Sequence, residues 1–152
     1  MLKLKALLLT QGMHGMVSQV EGLAKALNLD FKHHTVKLKP FWNFLPPKLT
    51  PISENLLTDK FICDTKVIIS CGRKSVVPSI ALKKKFKKDI FNIHIQDPKV
   101  SLRHFDSIMT YCIHNDIFIT NILHIMALYQ NTQIDKINNM LKANVNNVLR
   151  IY

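Results

Sequence analysis

Along the chain, short unbroken apolar runs alternate with stretches whose apolar residues recur every three to four positions. A strand buried on both faces reads as a continuous apolar run, and a crossover helix reads as a one-sided apolar stripe, so this alternation predicts a βα-type parallel sheet. Residues 4–10 form the first run, followed at once by Gln11-Gly12-Met13-His14-Gly15. Met16, Val20, Leu23, Ala24 and Leu27 then share one face of a helix over 16–27. Residues 31–37 read as a weaker strand of mixed polarity, which suits a place near a sheet edge.

The clearest strand is 66–70, where Val67, Ile68 and Ile69 are β-branched and apolar. It runs into Cys71-Gly72-Arg73-Lys74-Ser75 and a helix over 76–87, with Pro78 expected in the first turn and Ser75 as a candidate N-cap. Residues 90–95 make another strand, ending at Gln96-Asp97-Pro98. A fifth strand is expected over 107–111, a further one over 117–126, and an amphipathic helix over 132–142. The predicted fold is α/β: a single Rossmann-like domain over 1–152, with a mostly parallel sheet of five to six strands and helices on both faces.

One stretch breaks the pattern. Pro40, Pro46 and Pro47 surround Phe41, Trp42 and Phe44 in residues 38–49, which forbids a regular helix or a central strand. The aromatic residues are expected to pack over the sheet edge. Thr50 followed by Pro51 then has the form of a helix start, with Thr50 as N-cap.

Composition narrows the class. With 152 residues, 47% of them apolar and 20% charged, the chain can bury one sizeable core, which excludes a disordered tail or a disulfide knot. Cys63, Cys71 and Cys112 form no CxxC pair and no zinc-type cluster, so they read as small hydrophobes in a reducing compartment. No apolar run reaches membrane-spanning length, and the apolar start stops at Thr10-Gln11-Gly12 with no small-residue cleavage site. The expected location is cytoplasmic, with peripheral contact at the inner membrane surface as an open alternative.

The net charge of +11 points toward anionic partners, yet 18 of the 21 basic residues are Lys and only three are Arg. Base-reading surfaces favour the planar fork of Arg, so a solvated lysine surface is preferred over a nucleic-acid site. The run Lys83-Lys84-Lys85-Phe86-Lys87-Lys88 suits the negative end of a helix dipole first, and an anionic-lipid patch second.

Candidate chemistry collects at the ends of three strands, which a parallel sheet brings to one rim. Gly12 and Gly15 precede a helix, where free N–H groups favour an anion, and His14 is a candidate base. Gly72, Arg73, Lys74 and Ser75 open the second helix; two cations there oppose the helix dipole unless an anion compensates them. Gln96 and Asp97 can hydrogen-bond hydroxyl groups, although Asp97-Pro98 is also an ordinary strand-ending turn. No metal-ligand set, nucleophile elbow or cofactor fingerprint is present, so no cofactor is expected.

These segments together resemble the mitochondrial fission ELM family, whose bacterial members carry a glycosyltransferase label. The resemblance rests on Gln19, Gly22, Leu23 and Ala24 behind the first turn, then Trp42 with Leu45-Pro46-Pro47. It continues through Ile69-Ser70-Cys71-Gly72-Arg73-Lys74-Ser75, Ile95-Gln96-Asp97-Pro98 and Phe105-Asp106, with a weaker match at His114-Asn115-Asp116 and Asn121-Ile122-Leu123. It implies the first, acceptor-side domain of a GT-B-like architecture, inactive alone, with a nucleotide-sugar or anionic acceptor as ligand. Family members are longer, so the donor-binding half is expected to be encoded separately or lost from a truncated remnant. A non-catalytic module recruited to a membrane surface is the alternative reading.

Overall fold

The computed structural model describes residues 3–57, 64–86, 90–114 and 117–123. Its elements follow the expected alternation: β1 (Lys5–Thr10), α1 (His14–Ala26), β2 (Asp30–Thr35), β3 (Val67–Cys71), α2 (Arg73–Phe86), β4 (Phe91–Ile95), β5 (Ser107–His114) and β6 (Ile117–Leu123). They form a sheet in the order β2-β1-β3-β4-β5-β6. The first five strands are parallel, and β6 runs antiparallel to β5, pairing Ile108 with Leu123 and His114 with Ile117.

The period-two alternation of the strands assigns each face a helix. Ala6, Leu8, Val67, Ile69, Cys71, Phe91 and Ile93 pack under Val20 and Ala24 of α1 and under Leu27, which caps its C-terminal end. Leu9 and Ile68 face the other way, against Val77 and Leu82 of α2 and against Val36, Leu38, Leu56 and Leu57 from the long β2–β3 connection. Val76, Ile80, Phe105 and Ile108 extend that second layer over β5. All residues of β3 and β4 are buried, whereas β2 is largely exposed, as its mixed polarity suits an edge position.

Several details differ from the sequence expectations. Helix α2 begins at Arg73, three residues early, so Pro78 lies in its second turn and denies the Lys74 carbonyl its intrahelical donor. Ser75 is not the N-cap; it is buried inside the first turn, and its hydroxyl donates to the Gly72 carbonyl at 2.7 Å. Thr50 caps no helix either. Its hydroxyl donates back to the Pro46 carbonyl at 3.0 Å, and residues 40–56 form three short 3-10 turns instead.

The aromatic residues of that connection do not all cover the sheet edge. Trp42 packs against the second core layer, but Phe41 and Phe44 are 69% and 85% exposed. Lys83, first of the lysine run, turns inward and pairs with Asp106, whose carboxylate also accepts the Asn92 N–H at 2.7 Å. The expected helix over 132–142, the end of the strand beyond 123 and Lys87 and Lys88 lie outside the described residues. Among the described residues, no helix is long and apolar enough to cross a membrane.

Candidate functional site

Because β1, β3 and β4 are adjacent and parallel, Thr10, Cys71 and Ile95 end on one rim. Strand order reverses between β1 and β3, since β2 lies on one side of β1 and all later strands on the other. A doubly wound sheet opens its ligand crevice at such a point, because neighbouring connections leave in opposite directions there. The turns after β1 and β3 flank this point of reversal.

Those two turns touch. Gly72 has φ +91°, and a Cβ on it would lie 2.6 Å from Met16 Sδ and 2.7 Å from the Gln11 side-chain amide. With the amide oriented so that its oxygen faces these donors, Gln11 accepts the backbone N–H of Arg73 at 2.9 Å and of Lys74 at 3.1 Å. Gln11 thus satisfies two orphan donors of α2 from a different turn. Gly12, at φ +84°, donates its N–H to Thr10 Oγ1 at 3.0 Å, and a Cβ there would press on Thr35 Cγ2 at 3.0 Å. Gly15 has no such need: a Cβ on it would meet nothing within 4 Å.

The cations of the second turn have separate fates. The Arg73 guanidinium is exposed and donates to the Asn43 carbonyl at 3.2 Å, tying the 3-10 connection to the rim. Lys74 is half-buried, and its ammonium group makes no hydrogen bond or ion pair among the described residues. It remains a cation at the positive end of a helix, where an anion would relieve it. His14 opens α1 and is exposed, with no described carboxylate or carbonyl to orient its ring.

The third turn is strained. Gln96 sits at φ +89°, a region a side chain with a Cβ rarely adopts, and its N–H donates to the Met109 carbonyl at 2.7 Å. Asp97 is exposed and accepts both the N–H of Lys99 at 2.9 Å and its Nζ at 2.6 Å. The Lys99 side chain, then its backbone N–H, holds the Asp97 carboxyl below the ordinary carboxylate range. Any hydroxyl bound by Asp97 must share it with Lys99.

Under this rim lies a polar layer that the sequence pattern concealed. His94 is 1% exposed and its Nδ1 is 2.8 Å from Ser70 Oγ. Burial pushes the imidazole down to about 4, so it is neutral at physiological pH. Buried Thr10 meets His33 Nε2 at 2.8 Å. The Cys71 thiol donates to Gln19 Oε1 at 3.2 Å, and burial raises it to about 11, which makes it a poor nucleophile. Only the period-two position of Ser70 and His94 on neighbouring strands could have suggested their pairing.

Arg73 and Lys74 place two cations on the turn that flanks the reversal of strand order. No described group of three or more His, Cys, Asp or Glu residues could hold a metal ion. The groove at the opposite end of β1 and β2 is lined by Lys5, Asp30, Lys32 and Asp64, and its Lys5–Asp64 pair at 2.5 Å already neutralises it in part. Residues 14–142 match the family model described as Mitochondrial fission ELM1. No curated protein and no solved structure matches the chain.

Proposed function

The chain belongs to the mitochondrial fission ELM1 family, and on that premise we propose that it is the acceptor-side domain of a GT-B-like glycosyltransferase architecture. Its ligand is an anionic group held at the β1–β3 crevice by Arg73 and Lys74. The observation that carries this reading is the place of those two cations, on the turn that flanks the reversal of strand order. Lys74 supplies charge without a competing partner, and Arg73 can trade its bond to the Asn43 carbonyl for a stronger one to an oxyanion.

Within this reading His14 is the candidate base, on the turn across the crevice, and Gln96 and Asp97 hold hydroxyl groups farther along the rim. A free imidazole without an orienting partner gains its geometry only when ligand is bound. A second, donor-binding domain completes the cleft, excludes water and supplies the nucleotide sugar; one domain alone encloses no reaction.

The test is thermal unfolding of the chain with and without a panel of nucleotide sugars and anionic acceptors. A ligand at one hundred times its dissociation constant adds about 2.7 kcal/mol of stability, which a melting curve reads easily. The expected result is a midpoint raised by one ligand class and no longer raised in Arg73→Ala and Lys74→Ala. A shift that survives both substitutions, or no shift with any ligand, overturns the assignment.

A further inference from the structure

Residues 39–49 present three large apolar side chains to solvent. Phe44 is 85% exposed, Phe41 69% and Leu49 68%. These are not the ends of a loose loop. Trp42 is packed into the core layer formed with Leu38, Leu56 and Leu57, and Phe41 meets its ring edge-on at 5.0 Å. Asn43 Nδ2 donates to the Leu38 carbonyl at 3.2 Å, the Asn43 carbonyl accepts from Arg73, and Thr50 holds Pro46. Three prolines stiffen the segment further. The exposed rings are therefore displayed by an anchored scaffold, and little conformational freedom is left to lose on docking.

Along this stretch of chain the charge has one sign. Between Asp30 and Glu54 the chain holds Lys32, Lys37, Lys39 and Lys48 and no acidic residue. Lys39 and Lys48 are exposed, two residues before Phe41 and one before Leu49, with Arg73 bonded to the same segment. A protein-binding patch is depleted of lysine at its centre. Aromatic and aliphatic tips interleaved with lysines instead match a bilayer interface, where rings enter the headgroup–acyl boundary and ammonium groups meet lipid phosphates.

We propose that this segment docks the protein on an anionic phospholipid bilayer, with Phe41, Phe44 and Leu49 inserted and Lys39 and Lys48 on the headgroups. The surface is distinct from the lysine-rich end of α2, where Lys83 is already engaged by Asp106. It uses neither Lys74 nor His14, and shares with the glycosyltransferase reading only the Arg73 bond to the Asn43 carbonyl.

The experiment is co-sedimentation of the whole chain with vesicles of phosphatidylcholine, with and without phosphatidylglycerol. A second readout is quenching of Trp42, the only tryptophan, by lipids brominated on the acyl chain. Binding is expected only to the anionic vesicles, with Trp42 quenched and affinity falling as salt rises. Phe41→Ser with Phe44→Ser should weaken binding about tenfold or more while thermal unfolding stays cooperative, since neither ring is in the core. Lys39→Gln with Lys48→Gln should cost about tenfold or more and flatten the salt dependence, and Lys84→Gln with Lys85→Gln should change it little. The proposal is overturned by absent binding, by equal binding to neutral vesicles, or by binding lost only in the helix-end variant. Self-association that buries Trp42 while vesicles are ignored overturns it too, in favour of a second copy of the chain.

Discussion

The side-chain oxygen of Gln11 accepts the backbone N–H of Arg73 at 2.9 Å, so the second helix is capped from the turn that follows the first strand. The neighbouring N–H of Lys74 points at the same oxygen. A neutral amide thus occupies the donor positions that an anion would otherwise use, so the anion recognition proposed for this turn falls to the side chains of Arg73 and Lys74. Gln11→Ala should lower stability by about 1 kcal/mol, the usual cost of a lost cap. Gln11→Glu keeps both acceptor contacts and adds a negative charge at the positive end of α2, so it should raise stability by about 0.5 kcal/mol above the carboxyl's own pKa. Urea denaturation of the two variants at neutral pH separates them; equal loss in both would show that the oxygen does not face the helix.

Gly72 holds the same junction from the other side. Its φ of +91° penalises any side chain, and a Cβ there would lie 2.6 Å from Met16 Sδ. Met16 and Gln11 are flexible at those atoms and can yield, so the backbone term dominates. Gly72→Ala should cost about 2 kcal/mol, whereas Gly15→Ala, in helical backbone with open space around it, should stabilise by about 0.5 kcal/mol. A denaturant midpoint for each settles the contrast in sign.

The difference between these two glycines shows what the sequence could disclose. Strand ends at Thr10, Cys71 and Ile95 follow from apolar runs that stop at polar turns, and local pattern records such stops. Parallel pairing follows from the intervening helices. The start of α2 does not, because its cap comes from Gln11 in a distant turn and no local signal marks Arg73 as helical. Ser75 has the composition of a cap and the position of a buried residue. Likewise, Phe41 and Trp42 are chemically alike neighbours, and only the three-dimensional path of the prolines decides that one is exposed and the other packed. The candidate rim residues were nameable from their turns; that Lys99 engages Asp97 and that His94 lies beneath them was not.

Buried His94 makes stability depend on pH. The unfolded histidine binds a proton near 6.5, whereas the folded one does so only at about 4 because burial disfavours the charged form. Between those values the unfolded chain holds more protons, so stability is fully present above the unfolded value and is lost as pH falls through this window. One proton is worth about 1.4 kcal/mol per pH unit, giving a loss on the order of 3 kcal/mol by the lower end. His104, also lowered by burial, acts in the same direction. Asp97 acts only below its ordinary value of 3.8, outside this range. Urea midpoints from neutral pH down to the folded value should fall steeply for the native chain and much less for His94→Asn.

Lys83 and Asp106 form a partly buried pair that also receives the Asn92 N–H. Lys83→Met leaves the Asp106 carboxylate desolvated with one donor gone, and should cost about 3 kcal/mol. Asp106→Asn keeps an oxygen for Asn92 and should cost about 2 kcal/mol. The double variant leaves no unmatched charge, so it should be less destabilised than the sum. A double-mutant cycle by chemical denaturation measures that coupling, and strict additivity would show that the pair contributes nothing.

Gln96 offers the sharpest separation of stability from function. Its φ of +89° costs a residue with a Cβ on the order of 1–3 kcal/mol, and Gly relieves that strain while adding about 1 kcal/mol of unfolded-state entropy. Gln96→Gly should therefore leave the Gln96 N–H bond to Met109 in place and raise stability by about 1 kcal/mol. If the strain exists to aim the Gln96 amide at a bound hydroxyl group, the same variant should lose the ligand-induced rise in melting temperature. A side chain with no role at the rim would give the gain in stability with ligand response intact. A variant less stable than the native chain would instead mean that Gln96 makes contacts worth more than its strain, and that its unusual backbone is the consequence of packing and not of function.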